Sequence, residues 1–184
     1  MKNKNVVIIV DFKLGNLFSV KHACINVGLE PIVSSDKKII CNANALILPG
    51  VGAFGVAMEN LSKLDLINPI KDHVTNGKFL FGVCLGMQLL FSESEEYGIN
   101  KGLNIIEGMV KKIPNINKGR NIKIPHIGWN TVYNNDPSSW KKSPLMSTSQ
   151  NEFMYFDLES IKLILRKECR FIQAVSSDLR LYIY

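Results

Sequence analysis

The chain has 184 residues, 46% of them apolar, and a formal charge of +6, a balance that supports one ordinary buried core and excludes a disordered polymer. No stretch approaches the roughly 18 consecutive apolar residues of a membrane-crossing helix, and the cysteines at 24, 41, 84 and 169 form no Cys-x-x-Cys pair, so the expectation is no disulfide, no zinc or other metal, and a reducing cytoplasm. The basic residues gather between Lys111 and Lys142 among Pro, Asn and Gly with few aromatics. That pattern reads as a solvated loop face, or a surface for a phosphorylated substrate or acidic protein, rather than a nucleic-acid motif.

Val6–Val10 is a first strand; at five residues, closed by Asp11, it is too short for the apolar core of a secretory leader. Asn16 can cap a helix in which Leu17, Val20, Ala23, Cys24 and Val27 fall at helical spacing, with Gly28 as the stop. Ile32-Val33 is a short second strand and Ala45–Leu48 a third, followed by Pro49-Gly50-Val51-Gly52-Ala53-Phe54-Gly55, which no element interior would tolerate. Helical patterns over Val56–Leu64 and Ile67–Thr75 lead through Asn76-Gly77 into the strand Phe79-Leu80-Phe81. Strands alternating with helices predict an α/β fold: a mostly parallel, doubly wound sheet with flanking helices.

The next five residues, Gly82-Val83-Cys84-Leu85-Gly86, lie between that strand and a helix-like stretch, Met87–Phe91. They read as a nucleophile on a sharp strand-to-helix turn, where the positions two before and two after must lack bulk. A sulfur at a helix N-terminus meets unpaired N–H groups that favour an anion, and the thiolate is the form that attacks. A buried structural cysteine beside two turn glycines is the alternative; the flanking strand and helix patterns favour catalysis. Both glycine-rich segments fall at carboxyl ends of parallel strands, where open α/β sheets place their ligand sites.

Beyond about residue 100 the runs become short and broken by Gly, Pro and Asn: Ile105-Ile106, Met109–Ile113, Ile122–Ile124, Thr131–Tyr133 and Phe153–Phe156. They predict a β-rich C-terminal half within a single domain spanning 1–184.

Taken together, Asp11–Asn16, Pro49-Gly50-Val51-Gly52, Gly82–Gln88 and Pro125-His126-Ile127-Gly128-Trp129-Asn130 resemble the glutamine amidotransferase subunits of imidazole glycerol phosphate synthases, a class I, triad-type family. The resemblance runs from residue 6 to 156. It implies a glutaminase of histidine biosynthesis that needs no cofactor and passes ammonia to a (β/α)₈-barrel cyclase, as a heterodimer that involves neither nucleic acid nor membrane. Cys84 would attack the glutamine carboxamide. The Leu85 N–H and an N–H of the Gly50-Val51-Gly52 loop would receive the oxyanion, and Gln88 and Glu96 would hold the amino-acid end. Asn16, His126, Trp129 and Asn130 would lie at the partner interface. Bland alternatives stay open at three of these: Asn16 as a helix cap, Glu96 in a solvated helix end, Trp129 in the core.

The sequence departs from the family where the base belongs. Class I members carry His-Pro-Glu near the C-terminus; this sequence holds only His22, His73 and His126 and no such segment, and residues 157–184 read as a divergent or shortened end. Each of the three histidines reads as structural. The expectation is a chain built for glutamine hydrolysis but impaired in it. The alternatives are a partner-binding subunit of an amidating enzyme, for example in surface-sugar biosynthesis, and a cysteine hydrolase of the same fold.

Overall fold

A computed structural model describes residues 5–112, 116–117, 120–121, 126–132, 152–158 and 162–165. The chain divides into two compact units, Met1–Glu107 and Gly108–Tyr184.

The first unit is built on four parallel strands: β1 (Val6–Val10), β2 (Glu30–Ser34), β3 (Ala45–Leu48) and β4 (Phe79–Gly82), in the order β2-β1-β3-β4. The central strands β1 and β3 are short, apolar and largely buried, as inner strands of a parallel sheet are, whereas the edge strands β2 and β4 leave Ile32, Val33, Phe79 and Phe81 exposed. Along β1 the side chains alternate. Val7 and Ile9 join Ile47 and the α1 residue Cys24 in one cluster, while Ile8, Val10, Leu46 and Leu48 are also buried. Helices α1 (Leu17–Asn26), α2 (Lys37–Asn42), α3 (Phe54–Lys63) and α4 (Ile67–Thr75) make the connections. The expected α/β architecture is what the chain forms.

Boundaries follow local chemistry. Asn16 Oδ1 accepts from the Ser19 N–H at 3.1 Å and starts α1, and Gly28 at φ +79° ends it as expected. Helix α2 is not anticipated by the sequence reading. Asp36 caps it, accepting from Lys38 and Ile39 N–H at 2.7 and 3.1 Å.

Two expectations are corrected. The helical stretch Met87–Phe91 gives way to α5, only Leu85–Gln88, and then to β5, Phe91–Ser94. Glu93 and Ser94 pair with Lys101 and Asn100 of β6 (Asn100–Lys101), so Ser92–Glu96 forms a strand and turn, not a solvated helix end. The apolar run Leu89-Leu90-Phe91 belongs to a buried core whichever way the backbone winds, and all three are buried; short apolar runs do not fix a period.

The chain then enters β7 (Ile106–Lys111), one strand where the sequence suggested two. In the second unit, Gly108–Lys111 pairs antiparallel with β12 (Lys162–Leu165). A small ladder joins β8 (Ile116–Asn117) to β9 (Arg120–Asn121), and β10 (His126–Val132) pairs antiparallel with β11 (Glu152–Leu158). The expected strand Ile122–Ile124 and most of 157–184 lie outside the described residues.

His73 on α4 is buried, and its Nε2–H donates to the Phe79 carbonyl at 2.9 Å. Its Nδ1 is buried and has no hydrogen-bond partner among the described residues. Burial pushes the imidazole below its usual range; the Phe79 bond opposes this and the nearby Lys78 charge adds to it. The folded state thus holds His73 neutral, whereas the unfolded chain takes up a proton near its ordinary value of 6.5. Below that pH the unfolded state binds more protons, so stability, complete above it, must fall as the solution is acidified. Denaturant titrations between pH 7 and 5 should show stability falling as the pH is lowered. His73→Gln, which can still donate to Phe79, should flatten that slope.

Candidate active site

The site begins with strand register. β3 and β4 run parallel with Leu48 opposite Gly82, and the Val83 N–H extends the ladder by donating to the Leu48 carbonyl at 2.9 Å. The two chains therefore leave the sheet side by side. Cys84 then turns the backbone at φ +54°, ψ −120°, a region that L side chains enter only at a cost of about 1–3 kcal/mol. The thiol is exposed. The buried structural reading of Cys84 is excluded.

Glycines allow the turn to close. A Cβ on Gly82 would stand 2.6 Å from Met87 Cα. One on Gly86 would overlap the Leu48 carbonyl oxygen and lie 2.9 Å from the Pro49 oxygen. Opposite them, a Cβ on Gly50 would come within 3.0 Å of both Gly86 N and Leu85 Cβ. The Pro49–Gly52 loop is thus seated directly on the elbow. Gly52 takes φ +90°, which glycine adopts freely. Among the described residues, the N–H groups of Val51, Gly52 and Leu85 donate to no protein acceptor, so peptide donors stand available on both sides of the junction.

Helix α5 is four residues long, too short for the extended dipole that the sequence suggests. What it supplies is its own first turn: the Met87 and Gln88 N–H groups donate to the Cys84 carbonyl at 3.0 and 3.3 Å, leaving Leu85 N–H unspent. Gln88 lies one turn past Cys84 and is half-buried.

Glu96 is brought to the loop by a long-range bond. Its Oε2 accepts from the Phe54 N–H at 2.6 Å, at the start of α3, where the N-cap residue Ala53 offers no side-chain acceptor. A carboxylate there satisfies an orphan donor and the positive end of the helix. Gly15, not Asn16 itself, lies against the loop, since a Cβ on Gly15 would touch Pro49 Cγ at 3.4 Å, while the Asn16 side chain caps α1. Next to it, the Asp11 carboxylate is raised by partial burial, but bonds from the Lys13 N–H and Nζ at 2.9 and 2.7 Å outweigh this and hold it below the usual range.

The remaining candidates lie in the second unit. His126, Trp129 and Asn130 are on β10, with Trp129 opposite Tyr155 and Thr131 opposite Phe153. Trp129, Ile127 and Phe153 are 68%, 55% and 66% exposed, so Trp129 is not core. Alternation and pairing place the three on one face of the ribbon. Sequence reasoning named Trp129 but not Ile127 or Phe153.

The chain matches the family described as glutamine amidotransferase class-I over residues 8–178. The chain belongs to the class I glutamine amidotransferases. It is 42% identical over 152 residues to the imidazole glycerol phosphate synthase subunit HisH of Aquifex aeolicus, covering 81% of this chain and 68% of that one. It is also 42% identical over 149 residues to the HisH of Bacillus subtilis, with 80% and 68% covered. Among solved structures, the PurLQS structure from Thermotoga maritima superposes with a TM-score of 0.63 at 18% identity, covering 97% of this chain and 80% of that one. A glutamine amidotransferase crystal structure gives 0.59 at 20%, with 87% and 74% covered. These last two establish the amidotransferase fold.

Two substitutions separate strain from packing in this amidotransferase elbow. Cys84→Gly relieves the backbone and should raise stability by about 1 kcal/mol in chemical denaturation, while abolishing reaction with iodoacetamide at this position. Gly86→Ala must push β3 from β4, and should cost at least 3 kcal/mol or leave the chain insoluble.

Proposed function

We propose that the chain is the glutaminase subunit of an imidazole glycerol phosphate synthase, working in the cytoplasm with a (β/α)₈-barrel cyclase as its partner. The observation that carries this reading is an exposed, strained Cys84 with the Gly50 peptide packed against Leu85–Gly86. Bound glutamine presents its carboxamide carbon to Sγ. The new C–S bond pushes negative charge onto the carbonyl oxygen, where Leu85 N–H and a donor of the Gly50–Gly52 loop receive it. Collapse expels ammonia as the proton from the thiol passes to the leaving nitrogen, and water then cleaves the thioester to glutamate. Gln88 and Glu96 hold the amino-acid end; Glu96 spends Oε2 on Phe54 and offers Oε1 to the substrate ammonium.

The barrel docks on the exposed ribbon face centred on Trp129, with His126 and Asn130 on the same strand; Asn16, in the first unit, is a separate candidate contact. Large aromatic rings at such a centre contribute most of the binding energy. Trp129→Ala should weaken barrel binding at least tenfold in calorimetry, without changing the thermal unfolding of the free subunit.

A second reading, a partner-binding subunit with little turnover of its own, is favoured by the histidines. His22 lies exposed against the Phe18 ring at a centroid distance of 4.2 Å, and His73 is committed to Phe79. Without a base, catalysis loses a factor of about 10²–10⁴. Glutamate release by the full chain, alone and with a barrel cyclase, decides between the two. Turnover that rises with the partner and vanishes in Cys84→Ala supports the glutaminase; barrel binding with no glutamate supports the second reading.

A further inference from the structure

Glu96 is held in place by the turn that joins β5 to β6. Tyr97 and Gly98 take left-handed backbone there, at φ +52° and +110°. The Asn100 side chain folds back across the turn, its Nδ2 donating to the Glu96 carbonyl at 2.7 Å and to the Gly98 carbonyl at 3.1 Å. The Glu96 N–H is tied in turn to Ser94 Oγ at 3.2 Å. Both ends of the Glu96 backbone are thereby fixed by side chains.

The other side of Asn100 faces α3. A Cβ on Gly55 would stand 2.7 Å from Asn100 Oδ1 and 3.2 Å from its Cγ. Glycine is the poorest of the ordinary residues inside a helix, and here its missing Cβ is the seat for the asparagine amide. One residue earlier, the Phe54 N–H meets Glu96 Oε2. Asn100 therefore bonds the Glu96 backbone on one side and lies against Gly55, the residue after Phe54, on the other.

We infer that Asn100 is a positioning residue for glutamine: its amide clamps the turn so that the Glu96 carboxylate stays shared between the Phe54 N–H and the substrate ammonium. This rests on the glutaminase reading above. The asparagine contacts no substrate atom itself. Its effect is specific to ligands that carry an ammonium, because the clamp acts on Glu96 and leaves the elbow untouched.

The test uses the full chain in a catalytically silent Cys84→Ala background. Binding of glutamine and of glutaric acid monoamide, which has the carboxamide but no ammonium, is followed by NMR titration, with thermal melts alongside. Asn100→Ala and the isosteric Asn100→Asp, which lacks both N–H donors, should each weaken glutamine about tenfold and leave the monoamide within about twofold. Gly55→Ala should weaken glutamine similarly when Asn100 is present and add nothing in the Asn100→Ala chain, where its methyl group has room. Equal losses for both ligands with a lowered melting temperature would reduce Asn100 to a structural brace, and unchanged glutamine binding would overturn the inference alone. Failure of the parent to bind either ligand would sink the glutaminase reading, and this inference with it.

Discussion

The reactive end of the sheet depends on a backbone-to-backbone contact: the peptide at Gly86 lies against the Leu48 and Pro49 carbonyls with no side chain between them. Parallel pairing brings β3 and β4 to the same level, but pairing alone would leave their outgoing loops a side chain apart. Removing the Cβ at 86, and again at 50 and 82, lets the two loops collapse into one layer. A single methyl group at any of these points would have to be absorbed by the sheet itself. The site is thus dictated by the absence of atoms as much as by the sulfur that uses it.

The electrostatics of the junction come from short pieces. Helix α5 is a single turn, so the donors around Cys84 are individual peptide N–H groups rather than the end of a long dipole. The one longer helix nearby, α3, has its positive end occupied by the Glu96 carboxylate. Among the described residues, no lysine or arginine forms an ion pair with that acidic side chain. The Asp11-Phe12-Lys13 turn works differently: there the carboxylate is closed on Lys13 and serves the local fold, while the buried Phe12 lends its carbonyl to Asn60 Nδ2 at 3.1 Å.

Much of this was legible in the chain of letters. Val6–Val10 and Ala45–Leu48 read as buried parallel strands because nothing polar interrupts them, and Gly82 and Gly86 announced the elbow by their spacing about Cys84. Asn16 was readable as a cap because it precedes a helical period. The failures have equally physical origins. Leu89-Leu90-Phe91 is apolar at every position, so it could not report whether the chain was winding or extended, and the strand that begins at Phe91 was taken for helix. The Glu96–Phe54 bond joins residues 42 apart, and no local pattern encodes such a pairing. Gly55 reads from the sequence as the last loop glycine, whereas the structure places it inside α3 against Asn100. The exposure of Trp129 is likewise invisible in the sequence, since a tryptophan alternating with Ile127 and Thr131 fits an interior strand as well as an exposed one.

That the cap of α3 arrives from so far along the chain bears on the order of assembly. Local segments such as α1, capped by its own Asn16, can form as soon as they are made, whereas contacts that close long loops come later because the entropy of closure precedes the reward. The Gly50–Ala53 segment cannot settle until the β5–β6 hairpin has folded and swung Glu96 onto Phe54. The Glu96–Phe54 bond spans 42 residues, so the entropy of loop closure weighs on this junction far more than on the locally capped α1.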